Sequence, residues 1–443
     1  MTCFGLCLTS QAFGLTYDQA LDQAIGYDKK YASAILEARS AEYLPTIARA
    51  GLLPKLTMTG FQANNNLTQT GSNMVGNIST TTQNYTAKSY VGQLTQPLIN
   101  LAAIASYLQS TKQEKAAQQK LGMELNDLKN KVIEAYCSLA SAQEAYADTA
   151  KELGTLIKQE KILIGKQLGG ASSKTDVDEI TYAKLQTQAN LDDAKSTVLQ
   201  AKISLEILMG ESIAIEDALT APQIYLALGR GLSALIDDAK ETNPKIGYQQ
   251  GNYESALYEN KKNKAAYTPT VDIVAYQGYQ NSNSLSTVGQ KSIQGYLGLQ
   301  LNIPLFTGGE TYGKDRQSAF YAESQRLLLE SETNDVEASV RKLYSQAKIS
   351  DQKLSTLMAQ THIADRLYLS FLKQHELGLK STYDLLVTTR RKFQSERELS
   401  KTMYERIQAL KKLEVMVGDL HFTRNSFWKL RWAQLRAIVK FFI

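Results

Sequence analysis

The residues best suited to nucleophilic or metal chemistry are few and scattered along the 443-residue chain. A zinc site needs four ligands in close pairs, and a catalytic thiol needs a base beside it. The spacing of the cysteines and histidines favours neither, so the sequence predicts no catalytic residue, metal site or cofactor. We expect Cys137, in a helical apolar pattern, to be a small core side chain rather than a reactive thiol. The cysteines and histidines of the chain are Cys3, Cys7, Cys137, His362, His375 and His421.

A more specific charged feature is a glycine turn followed by an acid, and it occurs twice. Gly170 precedes Asp176 by the same spacing that separates Gly378 from Asp384. One explanation of Asp384 is a carboxylate at a helix N-terminus, where the helix dipole favours it. The recurrence of the turn belongs to a larger duplication, in which Asp22-Gln23-Ala24 returns as Asp237-Asp238-Ala239.

Four prolines divide both copies into the same parts, because a helix tends to end before proline and proline suits a first helical turn. They are Pro54 and Pro97, then Pro269 and Pro304. The first repeat, residues 15–210, is predicted to have helices at 16–53, 98–168 and 175–209 and strands at about 55–63 and 85–96. After a linker at 211–231, the second repeat, 232–418, is predicted to have helices at 232–268, 305–377 and 382–417 and strands at about 270–280 and 292–303. Pro45, inside the first helix, is expected to kink it.

The two long helices carry a coiled-coil pattern. Apolar or small residues recur at alternating intervals of four and three residues from Leu121 to Leu156, and again from Val336 to Phe371. The two shorter helices of each repeat together match the long one, which would be roughly 105 Å long at 1.5 Å per residue. We therefore expect antiparallel stacking, and the small residues on the seam indicate close neighbours on more than one side.

The predicted strands alternate between apolar and polar residues. Ile293, Leu297 and Leu301 fall on one face, while Gln294 and Gln300 fall on the other. Two soluble β-hairpins would have this pattern, and so would membrane hairpins with one lipid-facing side. Four strands cannot close a barrel, and a bilayer tolerates no open sheet edge, so membrane strands would require several chains.

Composition and charge exclude several classes of protein. With 43% hydrophobic and 21% charged residues, the chain is not a disordered one. The sequence has no run of about 20 uncharged apolar residues, which excludes a polytopic helical membrane protein. The net charge of +5 resides in residues 420–443 of a basic, aromatic tail at 419–443, so it predicts no nucleic acid partner. This tail is an interfacial amphipathic helix or a terminal extension.

Residues 1–14 look like a truncated signal peptide or a plain terminus.

The order and spacing of these motifs resemble those of TolC-like outer membrane efflux proteins over nearly all of 15–420. The resemblance rests on Ala50-Gly51-Leu52-Leu53-Pro54, on Pro304-Leu305-Phe306-Thr307-Gly308-Gly309, on the two Gly-x5-Asp turns, and on Leu208-Met209-Gly210 and Met416-Val417-Gly418. It implies a mainly α fold with a membrane part: a homotrimer with a 12-stranded β-barrel in the outer membrane of a Gram-negative bacterium. Each protomer would contribute four strands, and the barrel would continue into a long α-helical tunnel in the periplasm.

The resemblance also implies where the tunnel closes. Asp384 aligns with the first of the family's two acidic constriction positions, and Val387 replaces the second, one helical turn on. Three copies of Asp384 would form one carboxylate ring instead of two, so we expect weaker block by cations.

A latch on the closed tip is implied as well. Lys380 aligns with a family Arg and His375 with a family Tyr, while Thr175 and Asp176 supply the first repeat's side. Because histidine titrates near neutrality, we expect the His375–Asp176 pair to steady the closed state most when His375 is charged. A solvated histidine at a helix end is the alternative.

The function that follows is a passive exit duct for drug efflux or type I protein secretion. Its expected partners are a periplasmic adaptor, or membrane fusion protein, an inner membrane pump of the RND, ABC or MFS type, and outer membrane lipid. A soluble periplasmic coiled-coil scaffold or adaptor is the alternative, since it would use similar heptads. An enzyme ranks third, because the sequence has no phosphate loop, metal cluster or catalytic triad.

Overall fold

A computed structural model describes residues 15–72, 76, 78–213, 219, 222, 231–284 and 287–418. The predicted signal peptide, the basic tail and most of the predicted linker lie outside these residues. The described chain is mainly helical, with one small antiparallel sheet. None of the helices in these ranges is both long and apolar enough to cross a membrane.

The elements follow one another in the order helices, hairpin, helices, then the same again. In chain order they are α1 (Tyr17–Tyr27), α2 (Lys29–Ala41), α3 (Leu44–Arg49), β1 (Lys55–Ser72), β2 (Ile78–Ile99), α4 (Leu101–Leu168), α5 (Lys174–Met209), α6 (Leu232–Thr242), α7 (Pro244–Ala265), β3 (Thr270–Ser284), β4 (Thr287–Asn302), α8 (Glu310–Glu376) and α9 (Thr382–Val417).

The first predicted helix, 16–53, is wrong, because this segment forms three short helices. Asp28 has an extended backbone between α1 and α2, and its carboxylate accepts a hydrogen bond from the Tyr31 N–H at 2.6 Å. Pro45 does not kink a continuous helix but lies in the first turn of α3. There its missing N–H costs nothing, since that group has no helical partner.

The predicted helix 232–268 is also divided, into α6 and α7. Asn243 is extended between α6 and α7, and its side-chain oxygen accepts a hydrogen bond from the Lys245 N–H at 3.0 Å. Pro244 is the first residue of α7. A proline disfavours helical geometry in the residue before it, which explains the break at Asn243.

The helices that follow β2 and β4 both begin later than predicted. Pro97 lies inside β2, and α4 begins at Leu101, where the Asn100 side chain accepts a hydrogen bond from the Ala103 N–H at 2.9 Å. Helix α8 begins at Glu310 rather than 305, because Gly308 and Gly309 have φ values of 63° and 86°. Such left-handed geometry interrupts a right-handed helix.

The sheet has the order β1-β2-β3-β4, with every pair antiparallel. All four strands extend beyond the predicted bounds, to between 15 and 22 residues. Pro54 and Pro269 directly precede β1 and β3, while Pro304 follows β4. The register aligns Leu56, Leu94, Ala275 and Leu297 in one row across the strands.

The described residues divide into two compact units, which are considered separately. One unit contains those within 1–36, 120–246 and 331–443, and the other those within 37–119 and 247–330. In the first unit, the predicted seams of α4 and α8 supply buried residues such as Leu128, Val132, Leu139, Val336 and Val340. These seams pack against the shorter helices, which is where the core lies.

Cys137 belongs to this core, as the sequence predicts. It is 2% exposed, and burial raises the pKa of its thiol to about 12. A thiol that stays protonated is a poor nucleophile.

Candidate functional site at the two helix turns

The turn between α4 and α5 is built around Gly170, whose φ is 78°. The Ala171 N–H donates to the Lys166 carbonyl at 2.8 Å, and the Gly170 N–H donates to the Gln167 carbonyl at 3.0 Å. This pair of bonds is the Schellman arrangement that ends a helix with a left-handed residue. The chain then reverses into α5 with its helical carbonyls satisfied.

The turn between α8 and α9 has the same geometry. Gly378 has a φ of 77°, the Leu379 N–H donates to the Gln374 carbonyl at 2.8 Å, and the Gly378 N–H donates to the His375 carbonyl at 3.0 Å. Gly170 and Gly378 are therefore the pivots of both repeat turns.

Asp176 and Asp384 occupy equivalent positions, each as the third residue of the helix after the turn. Ser381 caps α9: its hydroxyl accepts from the Asp384 N–H at 3.1 Å, and the Asp384 carboxylate accepts from the Ser381 N–H at 3.4 Å. Ser173 and Asp176 form the same capping box on α5. Capping therefore accounts for an acid at each position, and Asp384 remains partly exposed.

Asp176 is the more strongly bonded carboxylate of the two. Its Oδ2 accepts from the Ser173 hydroxyl at 2.6 Å and from the Ser173 N–H at 3.0 Å. These bonds, with smaller contributions from Thr382 and Ser172, hold the pKa of Asp176 below its usual value. Asp176 thus stays ionised over the ordinary pH range.

Thr382 links the two turns and was missed from the sequence. Its hydroxyl lies 3.3 Å from His375 Nε2, and it also helps to lower the pKa of the Asp176 carboxylate. The side chain is only 3% exposed. The Thr382 hydroxyl therefore contacts His375 and influences Asp176 on the other turn. The available signal was its position in the second turn, between the capping Ser381 and Asp384.

The electrostatics of His375 oppose the predicted direction. Burial lowers the pKa of the imidazole, the positive charge of Lys166 lowers it further, and Asp176 and Glu376 only partly offset these effects. The neutral form is therefore favoured in this conformation. This direction runs against the expectation that a charged His375 steadies the latch most, because desolvation outweighs the attraction to Asp176 in this conformation.

The remaining predicted residues are not joined to one another. The Lys380 ammonium lies 4.8 Å from the centre of the Phe371 ring, and no hydrogen bond joins Lys380 to Thr175 in the described part of the chain. Thr175 and Val387 line an open cavity of about 790 Å³ along α5 and α9. Asp384 is not among the residues that line it.

Further polar contacts tie α9 to the first repeat. Arg397 donates to the Glu152 carboxylate at 2.6 Å, and Arg390 donates to the Gln186 side-chain oxygen at 2.8 Å. Partners so far apart along the chain give no local signal, so sequence patterns could not pair them.

The described residues contain no group of three or more histidine, cysteine or acidic side chains that could hold a metal ion. The turns instead combine helix-capping carboxylates, a threonine hydroxyl in contact with His375, and charged surface groups. Such an arrangement can hold two helix pairs together or release them.

The chain matches the family described as Outer membrane efflux protein over residues 20–211 and 235–419. It therefore belongs to the outer membrane efflux protein family. This family consists of outer membrane channel proteins for efflux and secretion rather than enzymes. The comparisons give no support to the soluble scaffold alternative.

Two relatives match almost the whole chain. The alkaline protease secretion protein AprF of Pseudomonas aeruginosa is 26% identical over 94% of this chain and 87% of its own length. The proteases secretion protein PrtF of Dickeya chrysanthemi is 26% identical over 93% of this chain and 90% of its own length.

Solved structures share the fold. The outer membrane protein VceC of Vibrio cholerae superposes with a TM-score of 0.77 at 15% identity, covering 91% of this chain and 96% of that one. This likeness shows that the chain has the fold of a TolC-like channel.

Proposed function

We propose that the chain is one protomer of a trimeric exit duct in the outer membrane, in which the four strands of three copies close one barrel. The observation that carries the proposal is a four-stranded sheet with an apolar face and two open edges, β1 and β4. Within the described chain, neither edge has a second strand partner.

The apolar face extends across all four strands. The row Leu56, Leu94, Ala275 and Leu297 lies on this face. Leu299, one row away on the same face, is 73% exposed. Side chains this apolar and this exposed need a cover, and lipid provides one for a protein of this family.

The opposite face is polar and suits a water-filled lumen. It carries Gln93, Gln294 and Gln300, and the stacked rings of Tyr276 and Tyr296, whose centroids are 5.1 Å apart. Apolar-out, polar-in alternation is the pattern of an outer membrane barrel.

Barrel closure sets the number of copies. A bilayer has no water to satisfy the backbone groups of an open edge, so β1 of one copy must pair with β4 of the next. Three copies would give twelve strands. The paired long and short helices of each repeat would then enclose the periplasmic tunnel.

The turns would form the inner constriction. In a trimer, three Asp384 carboxylates supply one ring, with Val387 in place of a second. The contacts of His375, Thr382 and Asp176 would latch the second repeat to the first, and Lys380 and Thr175 would lie at the periphery of this latch.

The cargo is proposed to be protein, with small-molecule efflux as the second candidate. AprF and PrtF, which both match over nine-tenths of the chain, are named for protease secretion. BepC of Brucella suis, 21% identical over 59% of this chain, is named for efflux. A duct of either kind works with a periplasmic adaptor and an inner membrane transporter, which supplies the energy.

The experiment compares one substitution on each face of β4. Leu299→Arg puts a charge on the proposed lipid side, where it costs about 2–4 kcal/mol at mid-membrane depth. Gln300→Arg is the matched control on the lumen side. We expect the wild type and Gln300→Arg to form trimers that conduct in planar bilayers, and Leu299→Arg to lose assembly.

A monomeric wild type in mild detergent, or equal tolerance of both arginines, would contradict the proposal. The mass of the detergent-solubilised particle and its single-channel conductance are the two measurements.

A further inference from the structure

We infer that the outward face of the strands carries a binding site for phosphorylated lipid headgroups, formed by Lys88 and Lys291. This inference rests on the proposed function, because it requires the apolar face to be in contact with lipid. It adds a ligand class and two residues that the channel function does not need.

The two lysines lie in one row across the sheet. Gln62 pairs with Lys88, Lys88 with Asn281, and Asn281 with Lys291. Because directly paired residues point to the same side of a sheet, both lysines are on the apolar face. They lie two strands apart, or about 10 Å at the usual strand spacing.

The row is positioned at the limit of the apolar face. The neighbouring row on that face contains Tyr90 and Tyr279, whose ring centroids are 6.1 Å apart, and Ile293. The rows beyond it toward the helices contain the leucines. Tyrosine pairs typically mark the level of the lipid headgroups on membrane barrels. The lysines are therefore one row beyond the aromatic level, where phosphates are found.

Both lysine side chains are exposed. The Lys291 ammonium lies 5.5 Å from the centre of the Tyr279 ring. This contact orients the charge over the aromatic row while leaving its donors open to an anion.

The charge around the row is positive only. Among the described residues of the four strands, Asp272 is the one acid, and it pairs with Gln300 and Pro97 near the helical end of the sheet. No carboxylate in these strands therefore neutralises Lys88 or Lys291, and the row attracts phosphate from a lipid leaflet.

A closed trimer would repeat this arrangement around its circumference. Lysine-bearing strands β2 and β4 alternate with β1 and β3, which carry none in this row. The result would be six lysines at every second strand, just beyond the lipid-facing band. Such a ring would hold anionic lipid around the whole barrel and fix its depth in the leaflet.

The test uses the purified full-length protein in detergent and lipid A, a glycolipid with two phosphates, as the probe. Native mass spectrometry measures how many lipid A molecules the particle retains as the lipid concentration rises. We expect Lys88→Gln combined with Lys291→Gln to weaken binding about 30-fold, since each lysine near a lipid phosphate contributes about a factor of five. The arginine pair Lys88→Arg and Lys291→Arg should bind as the wild type does.

Lys158→Gln combined with Lys401→Gln is the matched control, because both lysines are exposed on helices. Unchanged lipid A binding by the glutamine pair would overturn the inference, as would equal retention of zwitterionic phosphatidylethanolamine. Displacement of lipid A by inorganic phosphate at equal concentration would identify a free-anion site instead and overturn the lipid assignment.

Particle mass and conductance of the same samples separate this inference from the proposed function. If the wild type forms conducting trimers but the glutamine pair binds lipid A as well as the wild type does, only the lysine site is overturned. A wild type that neither trimerises nor conducts overturns both.

Discussion

At the scale of single residues, the helix-capping role of Asp384 is compatible with its proposed place in a constriction ring. Its carboxylate caps the N-terminus of α9 through Ser381 and is still partly exposed. The cap fixes the position of the charge, so three copies in a trimer would present carboxylates at a defined level. Val387 adds no charge one turn further along.

The first prediction concerns cation block at this level. Asp384→Asn keeps a capping oxygen but removes the charge, so we expect the trivalent-cation concentration needed for half block to rise about tenfold, equivalent to about 1.4 kcal/mol. Val387→Asp adds a second ring and should lower that concentration. Conductance in planar bilayers with hexamminecobalt measures both effects.

Asp178→Asn is the control for Asp384, because Asp178 is an exposed acid near the start of α5. Wild-type block as strong as that of Val387→Asp would mean that a single ring already saturates the effect and would contradict the prediction.

The second prediction follows from the lowered pKa of His375. A histidine whose pKa is lower in this conformation than in a relaxed one takes up its proton more readily when the conformation is lost. The contribution of His375 is therefore fully present above its ordinary pKa of about 6.5 and is lost as pH falls through that value and the lower one. Acidification should release the turns.

We expect the open probability of wild-type channels to rise between about pH 7.5 and pH 5.5, across the range where histidine titrates. His375→Gln, which cannot be charged, should respond much less. His362→Gln, at an exposed position on α8, serves as the control and should respond like the wild type. A pH response that survives in His375→Gln would place the titrating group elsewhere.

At the scale of elements, the glycine of each turn is required by backbone geometry rather than by space. Gly378 has a φ of 77° and no atom within 4 Å of an added Cβ. An alanine would therefore meet no neighbour, and its cost would arise from the left-handed backbone alone, about 1 kcal/mol.

The third prediction is that Gly378→Ala opens the turn locally. The Leu379 N–H, which donates to Gln374 at 2.8 Å, should exchange with solvent about fivefold faster, the factor that corresponds to about 1 kcal/mol. Gly313→Ala, inside α8 and equally free of neighbours, should leave that amide unchanged and stabilise its own helix. Hydrogen exchange resolved to single amides gives the answer, and equal protection of Leu379 in both variants would contradict it.

At the scale of the whole molecule, the proposed trimer would complete two features that a single protomer leaves open. The sheet has one apolar face and two open edges, and the long helices α4 and α8 carry the heptad seams. A closed trimer would resolve both features at once.

The fourth prediction concerns cargo in the native host. Deleting the gene should abolish release of a secreted protein into the medium, and a plasmid with the wild-type gene should restore it. Susceptibility to small toxic compounds should change little. Normal secretion together with a sharp rise in drug susceptibility would favour the efflux candidate. Comparing the proteins in culture supernatants and measuring growth inhibition distinguish the two.

Much of the fold could be predicted because it depends on local patterns. Gly378 and Asp384 mark a turn and a helix start by residue type, and helix α9 has the same bounds as the predicted one. The alternation in β4 predicts which residues share a face. The breaks at Asp28 and Asn243 were missed: Pro244 carried a signal for the second, whereas Asp28 is followed by Lys29 and no proline marks that break.

The candidate site could be predicted only in part. The positions of Asp384, His375 and Asp176 came from aligned motifs, but the hydroxyl of Thr382 between His375 and Asp176 did not. The sign of the His375 pKa shift also depends on burial and on Lys166, which no sequence pattern reveals.

The sequence by itself determined the duplication, the long seams, the turn positions and the membership of a channel family, because each depends on residue type and spacing along the chain. Only the tertiary structure decided which strands pair in which register, which polar groups meet across the two turns, and that Lys88 and Lys291 share one row. Those contacts join residues from distant parts of the chain, and their energies depend on distance, burial and neighbouring charge, which exist only after folding.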